Sequence, residues 1–286
     1  MEPVKIGIIG GSGVYQIEKL TRIEEVEIDT SFGKPSDTII IGSIAGQRVA
    51  FLPRHGRGHR ITPTELNSHA NIMAMKKLGV EYIISISACG SLREDFAPRH
   101  IVIPNQIFDM TKKRNYSFFG NGLVAHIGFA EPFCPNLSQI VYDAVKKTGA
   151  TVHQGATYLC IEGPRFSTKA ESNVYRQWGM DIIGMTAVPE AQLAREAGIC
   201  YATMGCVTDY DVWREEEESV NVEMLIENLN ANARISKQAI QNVIPEIGGE
   251  RDCECKDALA TALITQPEVI PQDTKKKLDL LVSKFL

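Results

Sequence analysis

The chain has 286 residues, of which 44% are hydrophobic and 23% are charged, as is ordinary for a globular enzyme. Its formal net charge of -5 argues against non-specific binding of nucleic acid, which requires a basic face. No apolar run approaches the about 18 residues of a membrane span. The first residues lead directly into a strand pattern and lack a signal-peptide layout, so we expect a cytoplasmic protein.

Strand and helix patterns alternate along the chain, which predicts an α/β fold in one domain without internal repeats. The predicted strands are short and rich in Ile and Val, and they cover residues 4–9, 38–44, 48–52, 82–87, 101–103, 156–161, 182–185 and 199–207. The predicted helices cover residues 63–78, 135–148, 169–178 and 188–197, followed by a long helix after Asn221 with Leu225, Leu229, Ala233 and Ile240 on one stripe. Two capping boxes, Thr62 to Glu65 and Thr168 to Glu171, open the first and third of these helices.

The last part of the chain differs in composition, so we divide the sequence into a catalytic domain, residues 1–248, and a C-terminal extension, residues 249–286. The extension begins with a predicted loop, residues 248–256. A short helix is expected over residues 257–264, a linker over 266–273 and an amphipathic helix over 274–285. That last helix either docks on its own core or contacts a neighbouring subunit.

The seven cysteines are an odd count, and five of them lie in apolar or strand-like segments. Those five are interpreted as buried small side chains that stay reduced. Cys253 and Cys255 lie in a polar segment, where a redox pair or a disulfide is an open alternative. The spacing C-x-x-C that is typical of zinc sites is absent, so the sequence predicts no metal.

Two carboxylates follow the strongly apolar strand pattern of residues 199–207, at Asp209 and Asp211. Ligands of open α/β sheets bind beyond the carboxyl ends of the strands, where these acids are expected. A carboxylate pair there can accept hydrogen bonds from an amino-substituted heterocycle and can share a proton with it.

Groups suited to an anion follow several other predicted strands. The glycine-rich loop after the first strand offers backbone N–H groups and the Ser12 hydroxyl, although its spacing matches neither a dinucleotide fingerprint nor a Walker motif. Arg54 can offer a planar bidentate fork and His55 a further donor. The remaining candidates are hydroxyls and small residues at Ser87, Ala88 and Thr186. Each of these groups alone fits an ordinary loop, but together they favour an oxyanion site. Phe166, in a Gly-Pro turn, is either a core residue or a stacking partner for a planar base.

These motifs together resemble the methylthioadenosine phosphorylases of the trimeric purine nucleoside phosphorylase family. The matching pieces follow the family order from residue 4 to about residue 248. They include Gly10-Gly-Ser-Gly13, Arg54-His-Gly56, Ala88-Cys-Gly-Ser-Leu-Arg93, Ile161-Glu-Gly-Pro-Arg-Phe-Ser167, Gly184-Met-Thr186, Val188-Pro-Glu190 and Thr208-Asp-Tyr-Asp211. The resemblance implies the nucleoside phosphorylase fold, a single α/β domain around a mixed, partly barrel-like sheet flanked by helices. It also implies a homotrimer, and the Cys253/Cys255 pair is similar to that of relatives that form hexamers.

The resemblance further implies phosphorolysis of methylthioadenosine, with inorganic phosphate as co-substrate and no cofactor. Its residue roles, carried to this numbering, form three groups. The phosphate would be held by Ser12, Arg54, His55, Ser87, Thr186 and the Ala88 N–H. The catalytic residues would be Asp209 and His55, and the nucleoside would contact Phe166, Met185, Asp209, Asp211, Val222, Leu225 and, from the adjacent subunit, His126.

The residue types at a few positions distinguish between the possible substrate preferences within this family. Relatives that prefer 6-oxopurines usually carry Asn where Asp209 stands, and an ionised Asp can only accept a hydrogen bond. Val222 and Leu225 predict an apolar pocket for a methylthio group. Position 12 is Ser where many relatives have Thr, and position 184 is Gly where some have Asn. The alternatives are a phosphorylase of broader specificity, for adenosine, methylthioinosine or other 6-oxopurine nucleosides, and a catalytically silent nucleotide-binding or scaffolding protein.

Overall fold

Nine strands form one mixed sheet in the computed structural model, which describes residues 3–11, 17, 19–214 and 222–286, with the backbone only for residues 222–226. The strands are β1 (Ile6–Gly10), β2 (Thr21–Val26), β3 (Ile39–Ile44), β4 (Gln47–Pro53), β5 (Tyr82–Ser91), β6 (Ile101–Asp109), β7 (Val152–Cys160), β8 (Ile182–Gly184) and β9 (Cys200–Asp209). Their order is β2-β3-β4-β1-β5-β8-β7-β6-β9, and β9 also pairs with β5. The last five strands of that order therefore close on themselves, which confirms the expected barrel-like core.

In the described part of the chain, six α-helices flank the sheet: α1 (Ser68–Lys77), α2 (Pro135–Lys146), α3 (Lys169–Gln177), α4 (Ala187–Glu196), α5 (Val222–Val243) and α6 (Gln272–Val282). The capping box of α3 is confirmed, with Thr168 and Glu171 bonding reciprocally. The prediction that the first capping box starts a helix was wrong. Thr62 and Glu65 bond within a separate turn, and α1 begins after Asn67, whose side chain accepts a hydrogen bond from the Ala70 N–H. Within the described residues, none of the helices combines the length and apolarity that a membrane crossing requires.

The buried face of α5 is more polar than its predicted stripe. Leu229 is 41% exposed, whereas Asn228 and Asn232 are buried and donate to the carbonyls of Thr208 and Val207, at 2.8 Å each. This part of the helix thus turns Leu229 outward because the two amides bond the end of β9, whereas Ile240 of the predicted stripe is buried. Asn221, the predicted cap, lies outside the described residues.

The C-terminal extension packs on the same core as the rest of the chain. Leu278, Leu281 and Val282 of α6 are buried with Ile72 and Met73 of α1. The predicted helix over residues 257–264 was wrong: only a short 3-10 helix, Glu254–Asp257, forms there and is followed by turns. A further 3-10 helix, Pro267–Val269, interrupts the expected linker.

A buried carboxylate at the end of α4 predicts a pH-dependent stability. Glu196 is 4% exposed and accepts hydrogen bonds from Ser117 Oγ (2.6 Å) and Phe118 N (2.7 Å). Burial nevertheless raises its pKa to about 7. The folded state thus holds this proton more tightly than the unfolded chain, so the associated stability is present at low pH and is lost as the pH rises from about 4.5 to about 7.

We therefore expect Glu196→Gln to gain stability relative to the wild type between pH 5 and pH 8, on the order of 2–3 kcal/mol. Urea unfolding at both pH values measures this difference. Glu268→Gln, which changes an exposed side chain, is the matched control. A Glu196→Gln difference that stays constant across the pH range would contradict the assignment.

Candidate functional site

The sheet opens beside the middle of β5. β1 pairs with β5 as far as Ser85, and β8 pairs with it only from Gly90, so no described strand covers this edge between them. The carbonyl of Ile86 faces this gap and accepts a hydrogen bond from Arg54 Nη1 at 2.9 Å. Main-chain groups two residues apart in a strand point the same way, so the Ala88 N–H faces the gap as well. Ala88 is exposed, although both of its neighbours are buried.

Three hydroxyl groups meet at this gap. Ser87 Oγ lies 3.0 Å from the Tyr158 hydroxyl and 3.1 Å from Thr186 Oγ1. Burial raises the pKa of Tyr158 well above its ordinary value, so its hydroxyl keeps its proton. The structure thus brings Ser87, Ala88 and Thr186 together as the sequence predicts, and it adds Tyr158. Hydroxyl and backbone N–H donors in this arrangement suit an oxyanion.

Arg54 lies at the same gap but does not present a free fork. Its side chain is 2% exposed, and it pairs with the buried Glu190 through Nε to Oε1 (2.5 Å) and Nη2 to Oε2 (3.1 Å). Nη2 also donates to Ser85 Oγ at 2.6 Å. The two guanidinium N–H groups that were expected to bind an anion therefore bind the carboxylate of Glu190. Among the described residues, one Nη1 hydrogen has no partner and is left for a ligand.

His55 is a neutral imidazole at physiological pH. Burial, together with the positive charge of Arg54, lowers its pKa to about 4. Nδ1 lies 2.8 Å from the Ile61 carbonyl, which can only accept, so Nδ1 carries the proton. Nε2 then offers a lone pair, and the donor expected from the sequence becomes an acceptor that suits a protonated phosphate oxygen.

The glycine at position 184 makes room for Tyr158. A Cβ atom at this position would lie 2.0 Å from the Tyr158 hydroxyl oxygen, too close for any atom pair. Any side chain at position 184 would therefore require Tyr158 to move.

We expect Gly184→Ala to displace Tyr158 from Ser87 and to destabilise the protein by about 1–3 kcal/mol, the usual effect of overpacking. Chemical denaturation measures this change. Gly128→Ala is the matched control, because no atom lies within 4 Å of its added Cβ. Equal stability of the two variants would show that Tyr158 moves without cost.

The two predicted carboxylates lie where β9 ends. Asp209 pairs in register with Gly90 of β5. Its Oδ1 accepts from the Asp211 N–H at 2.8 Å, and its Oδ2 accepts from Thr208 Oγ1 at 2.6 Å. These bonds fix the Asp209 carboxylate at the rim of the barrel.

Asp211 carries the signs of a binding position. Its φ is +52°, a conformation that costs energy for a residue other than glycine. Burial raises the pKa of its carboxyl, although the hydroxyls of Ser172 and Ser167 beside it act in the opposite direction. Among the described residues, Asp211 Oδ2 and these two hydroxyls have no hydrogen-bond partner of normal geometry. Buried polar atoms without partners require an explanation, and a polar ligand supplies one.

The hydroxyl cluster and the carboxylates lie a fixed distance apart. Ser87 and Gly90 are three residues apart along β5, about 10 Å at the rise of a strand. The site therefore has an anion-binding end and a carboxylate end beside the same strand, at positions whose Cα atoms are about 10 Å apart.

Met185 lies between these two ends, in the loop after β8. A Cβ atom at Gly163 would lie 2.5 Å from its sulfur, so the two residues pack closely. Arg114 holds this loop, donating through Nη2 to the carbonyls of Met185 (3.1 Å) and Glu162 (2.8 Å). The Glu162 carboxylate is partly desolvated, but the N–H groups of Lys112 and Lys113 outweigh this effect and hold its pKa at about 2.

The other predicted site residues are less fully placed. Phe166 is 72% exposed in the loop between β7 and α3. His126 is also exposed, and its N–H donates to the Ala262 carbonyl of the extension at 2.8 Å. Ser12 lies outside the described residues, as do the side chains of Val222 and Leu225. The backbone of α5 nevertheless starts near the end of β9, to which Asn228 is bonded.

Sequence reasoning missed several residues that build the site: Tyr158, Glu190, Arg114, Ser172 and Asn228. Glu190 did have a sequence signal, because it is an acidic residue in an otherwise apolar helix start, Ala187-Val-Pro-Glu190. An acid buried in such a segment requires a cationic partner. The others gave no local signal, because they come from different elements that only the fold brings together.

Comparison with known proteins shows which family the chain resembles in sequence. The model of the phosphorylase superfamily matches residues 5–245. The chain is 54% identical to the S-methyl-5'-thioadenosine phosphorylase of Gloeobacter violaceus, over 98% of this chain and 96% of the relative. It is 52% identical to the protein of that name from Geobacter sulfurreducens, over 100% of both chains.

Solved structures give the same picture. A methylthioadenosine phosphorylase from an antarctic soil metagenomic library superimposes with a TM-score of 0.95 at 48% identity, over 98% of this chain and 99% of the other. A mutant of the adenosine/methylthioadenosine phosphorylase of Schistosoma mansoni, in complex with methylthioadenosine, has a TM-score of 0.81 at 34% identity and 98% coverage of both chains.

Proposed function

The chain belongs to the phosphorylase superfamily and, within it, to the S-methyl-5'-thioadenosine phosphorylases, and we propose that it converts methylthioadenosine and phosphate to adenine and 5-methylthioribose 1-phosphate. The observation that supports this most is the pairing of an anion-binding gap with a carboxylate pair about 10 Å away along β5. Such a site accommodates phosphate, sugar and base in that order.

At the anion-binding end, the phosphate would be held by Ser12, Arg54, His55, Ser87, Thr186 and the Ala88 N–H. The neutral His55 would accept a hydrogen bond from the protonated phosphate oxygen through Nε2, which leaves the other oxygens for the donors. A phosphate oriented in this way lies beneath the sugar with an oxygen directed at C1′. Positioning of this kind lowers the entropic part of the barrier.

At the carboxylate end, Asp209 and Asp211 would bind adenine through N7 and the 6-amino group. The C1′–N9 bond breaks and its electron pair moves to the base, while a phosphate oxygen forms the new bond to C1′. Asp209 would enter this step as the protonated carboxylic acid, with the proton taken from solvent when the substrates bind. It passes that proton to N7, which neutralises the departing adenine, and solvent then reprotonates the Asp209 carboxylate. General acid catalysis of this kind contributes about 10²–10⁴-fold.

Between these ends, Met185 would pack against the ribose and Phe166 would stack near the base. Val222 and Leu225 would form the apolar pocket for the methylthio group, with His126 of the adjacent subunit reaching it. An apolar pocket disfavours the 5′-hydroxyl of adenosine, because leaving that hydroxyl unpaired costs about 1–3 kcal/mol.

We also propose a homotrimer or a hexamer that works in the cytoplasm. Exposed apolar side chains support association, since Val174 and Trp178 lie on one face of α3 and Phe108 stands beside Trp178, with ring centroids 5.9 Å apart. Seven free cysteines fit a reducing compartment. The proposed reaction uses phosphate as a co-substrate and needs no cofactor.

The direct test is the dependence of base release on phosphate. The protein is incubated with methylthioadenosine in phosphate-free buffer and then with added phosphate, and both adenine and the sugar phosphate are quantified. Equal amounts of both products, formed only with phosphate, are expected. Adenine released at the same rate without phosphate would indicate hydrolysis and would overturn the proposal.

A second candidate is a phosphorylase that also accepts adenosine. It is favoured by the similarity to the Schistosoma mansoni protein, whose name includes both adenosine and methylthioadenosine. The relative rates with the two nucleosides distinguish a selective enzyme from a broad one.

A further inference from the structure

Four cysteines from three separate parts of the chain meet near the start of β5, where Cys200 pairs with Tyr82. Cys134 caps α2, Cys200 starts β9, and Cys253 and Cys255 come from the C-terminal extension. Their Sγ atoms all lie within 4.8 Å of one another. Three of these residues are buried and Cys253 is half-buried. Together these four residues form the cysteine cluster.

The spacing of the sulfurs fits one tetrahedral ion. A Zn–S bond of about 2.3 Å places the four sulfurs of a tetrahedron about 3.8 Å apart. Within the cysteine cluster, Sγ of Cys200 lies 3.3 Å from Sγ of Cys253. Small side-chain rotations therefore bring the cluster to zinc geometry. The same separation is well beyond the about 2.05 Å of a disulfide bond.

The backbone around the cysteine cluster is held in place. The Cys134 N–H donates to the Tyr201 carbonyl at 2.8 Å, and the Cys200 N–H donates to the Glu81 carbonyl at 2.9 Å. On the side of the extension, Arg251 donates to the Gly198 carbonyl at 2.7 Å. The ligands are thus oriented before an ion binds, as structural metal sites require.

The thiolate is the form of cysteine that binds metal. The positively charged Arg195 lies close enough to Cys255 to interact with it electrostatically. Four thiolates around a divalent ion carry a net charge of −2, which Arg195 partly offsets.

We propose that the cysteine cluster binds one Zn²⁺ ion as a closed structural site that fastens the C-terminal extension to the barrel. The ion replaces the four thiol protons, which leave to solvent, and no oxidation takes place. Thiolates select soft ions, and four cysteines without an open position are typical of structural zinc. The absence of C-x-x-C spacing does not argue against the site, because its ligands are far apart in the sequence.

The extension also connects the proposed zinc site to the segment that carries His126, the residue proposed to reach the nucleoside pocket of the adjacent subunit. Beyond Cys255, the chain pairs with the segment that carries His126: Leu263 forms a bridge with Ala125, and the Ile264 N–H donates to the Val124 carbonyl at 3.0 Å. Loss of the ion should therefore loosen the extension and the segment around His126 together.

The test is the metal content of protein purified under reducing conditions without chelators. Elemental analysis is expected to find one zinc per chain, and X-ray absorption to show four sulfur neighbours at about 2.3 Å. Cys253→Ser and Cys255→Ser should lose the zinc. Cys206→Ser, which changes a cysteine outside the cluster, should retain it. Cys253 is half-buried in a loop, so its variant should fold even if the Cys255 variant does not.

Three results would overturn the proposal. Zinc could be absent and not taken up when it is added to the reduced protein. The Cys253 and Cys206 variants could bind equal amounts of zinc. Thiol titration of the denatured protein, purified without a reductant, could give five free thiols and a mapped bond between Cys200 and Cys253, which would make the cluster a disulfide site.

Discussion

Asp209→Asn should lower kcat/KM for phosphorolysis of methylthioadenosine by about 10²–10⁴-fold, the usual contribution of a general acid. An amide cannot donate the proton that N7 needs as the C1′–N9 bond breaks. Its NH2 group can instead donate to a 6-oxo group, so activity on methylthioinosine relative to methylthioadenosine should rise. Release of adenine and of hypoxanthine, followed side by side, measures both effects.

The matched control is Asp143→Asn on α2, which makes the same chemical change on a surface helix. The unfolding midpoint of Asp143→Asn should stay close to that of the wild type, and the midpoint of Asp209→Asn should lie above the assay temperature although one of the two hydrogen bonds to its side chain is lost. If Asp209→Asn keeps wild-type kinetics on both nucleosides, Asp209 has no role in proton transfer or base selection.

Glu190→Ala should destabilise the protein by about 3–5 kcal/mol, because it leaves the buried guanidinium of Arg54 without a counter-charge. Glu190 also accepts from the Tyr201 hydroxyl at 2.9 Å, so that group loses its partner as well. Urea unfolding measures the change. The free guanidinium should move, and the KM for phosphate should rise.

The double variant Arg54→Met/Glu190→Leu separates stability from function. Replacing both partners of a buried ion pair by apolar side chains is often neutral, so much of the lost stability should return. Phosphorolysis should not return, because Arg54 would be gone from the phosphate end. A double variant as unstable as Glu190→Ala would contradict this account of the pair, and an active one would remove Arg54 from the site.

The sequence predicted most strands because buried strands have a strong signal. All residues of β1 are buried, and β9 is buried except at its end, so both appear as continuous apolar runs. β2 was missed because it is an exposed edge strand with the sequence Thr-Arg-Ile-Glu-Glu-Val, paired only with β3. Its charged residues interrupt the alternation of apolar and polar side chains by which a strand is recognised in a sequence.

Side-chain partners were harder to predict than strand positions. The sequence indicated that Arg54 follows a strand. It did not indicate that the Arg54 guanidinium would pair with Glu190, because this ion pair joins residues 136 positions apart. The cysteine cluster was missed for the same reason. Spacing rules detect sites built within one loop, whereas Cys134 and Cys255 are brought together by the docking of the extension.

The most direct test of the proposed function is a comparison of kcat/KM for methylthioadenosine, adenosine and methylthioinosine under saturating phosphate. The account predicts that methylthioadenosine is clearly preferred, over adenosine because of the apolar 5′ pocket and over methylthioinosine because of Asp209. A preference for methylthioinosine would contradict the role of the carboxylate pair, and no turnover of any of the three would contradict the enzyme itself.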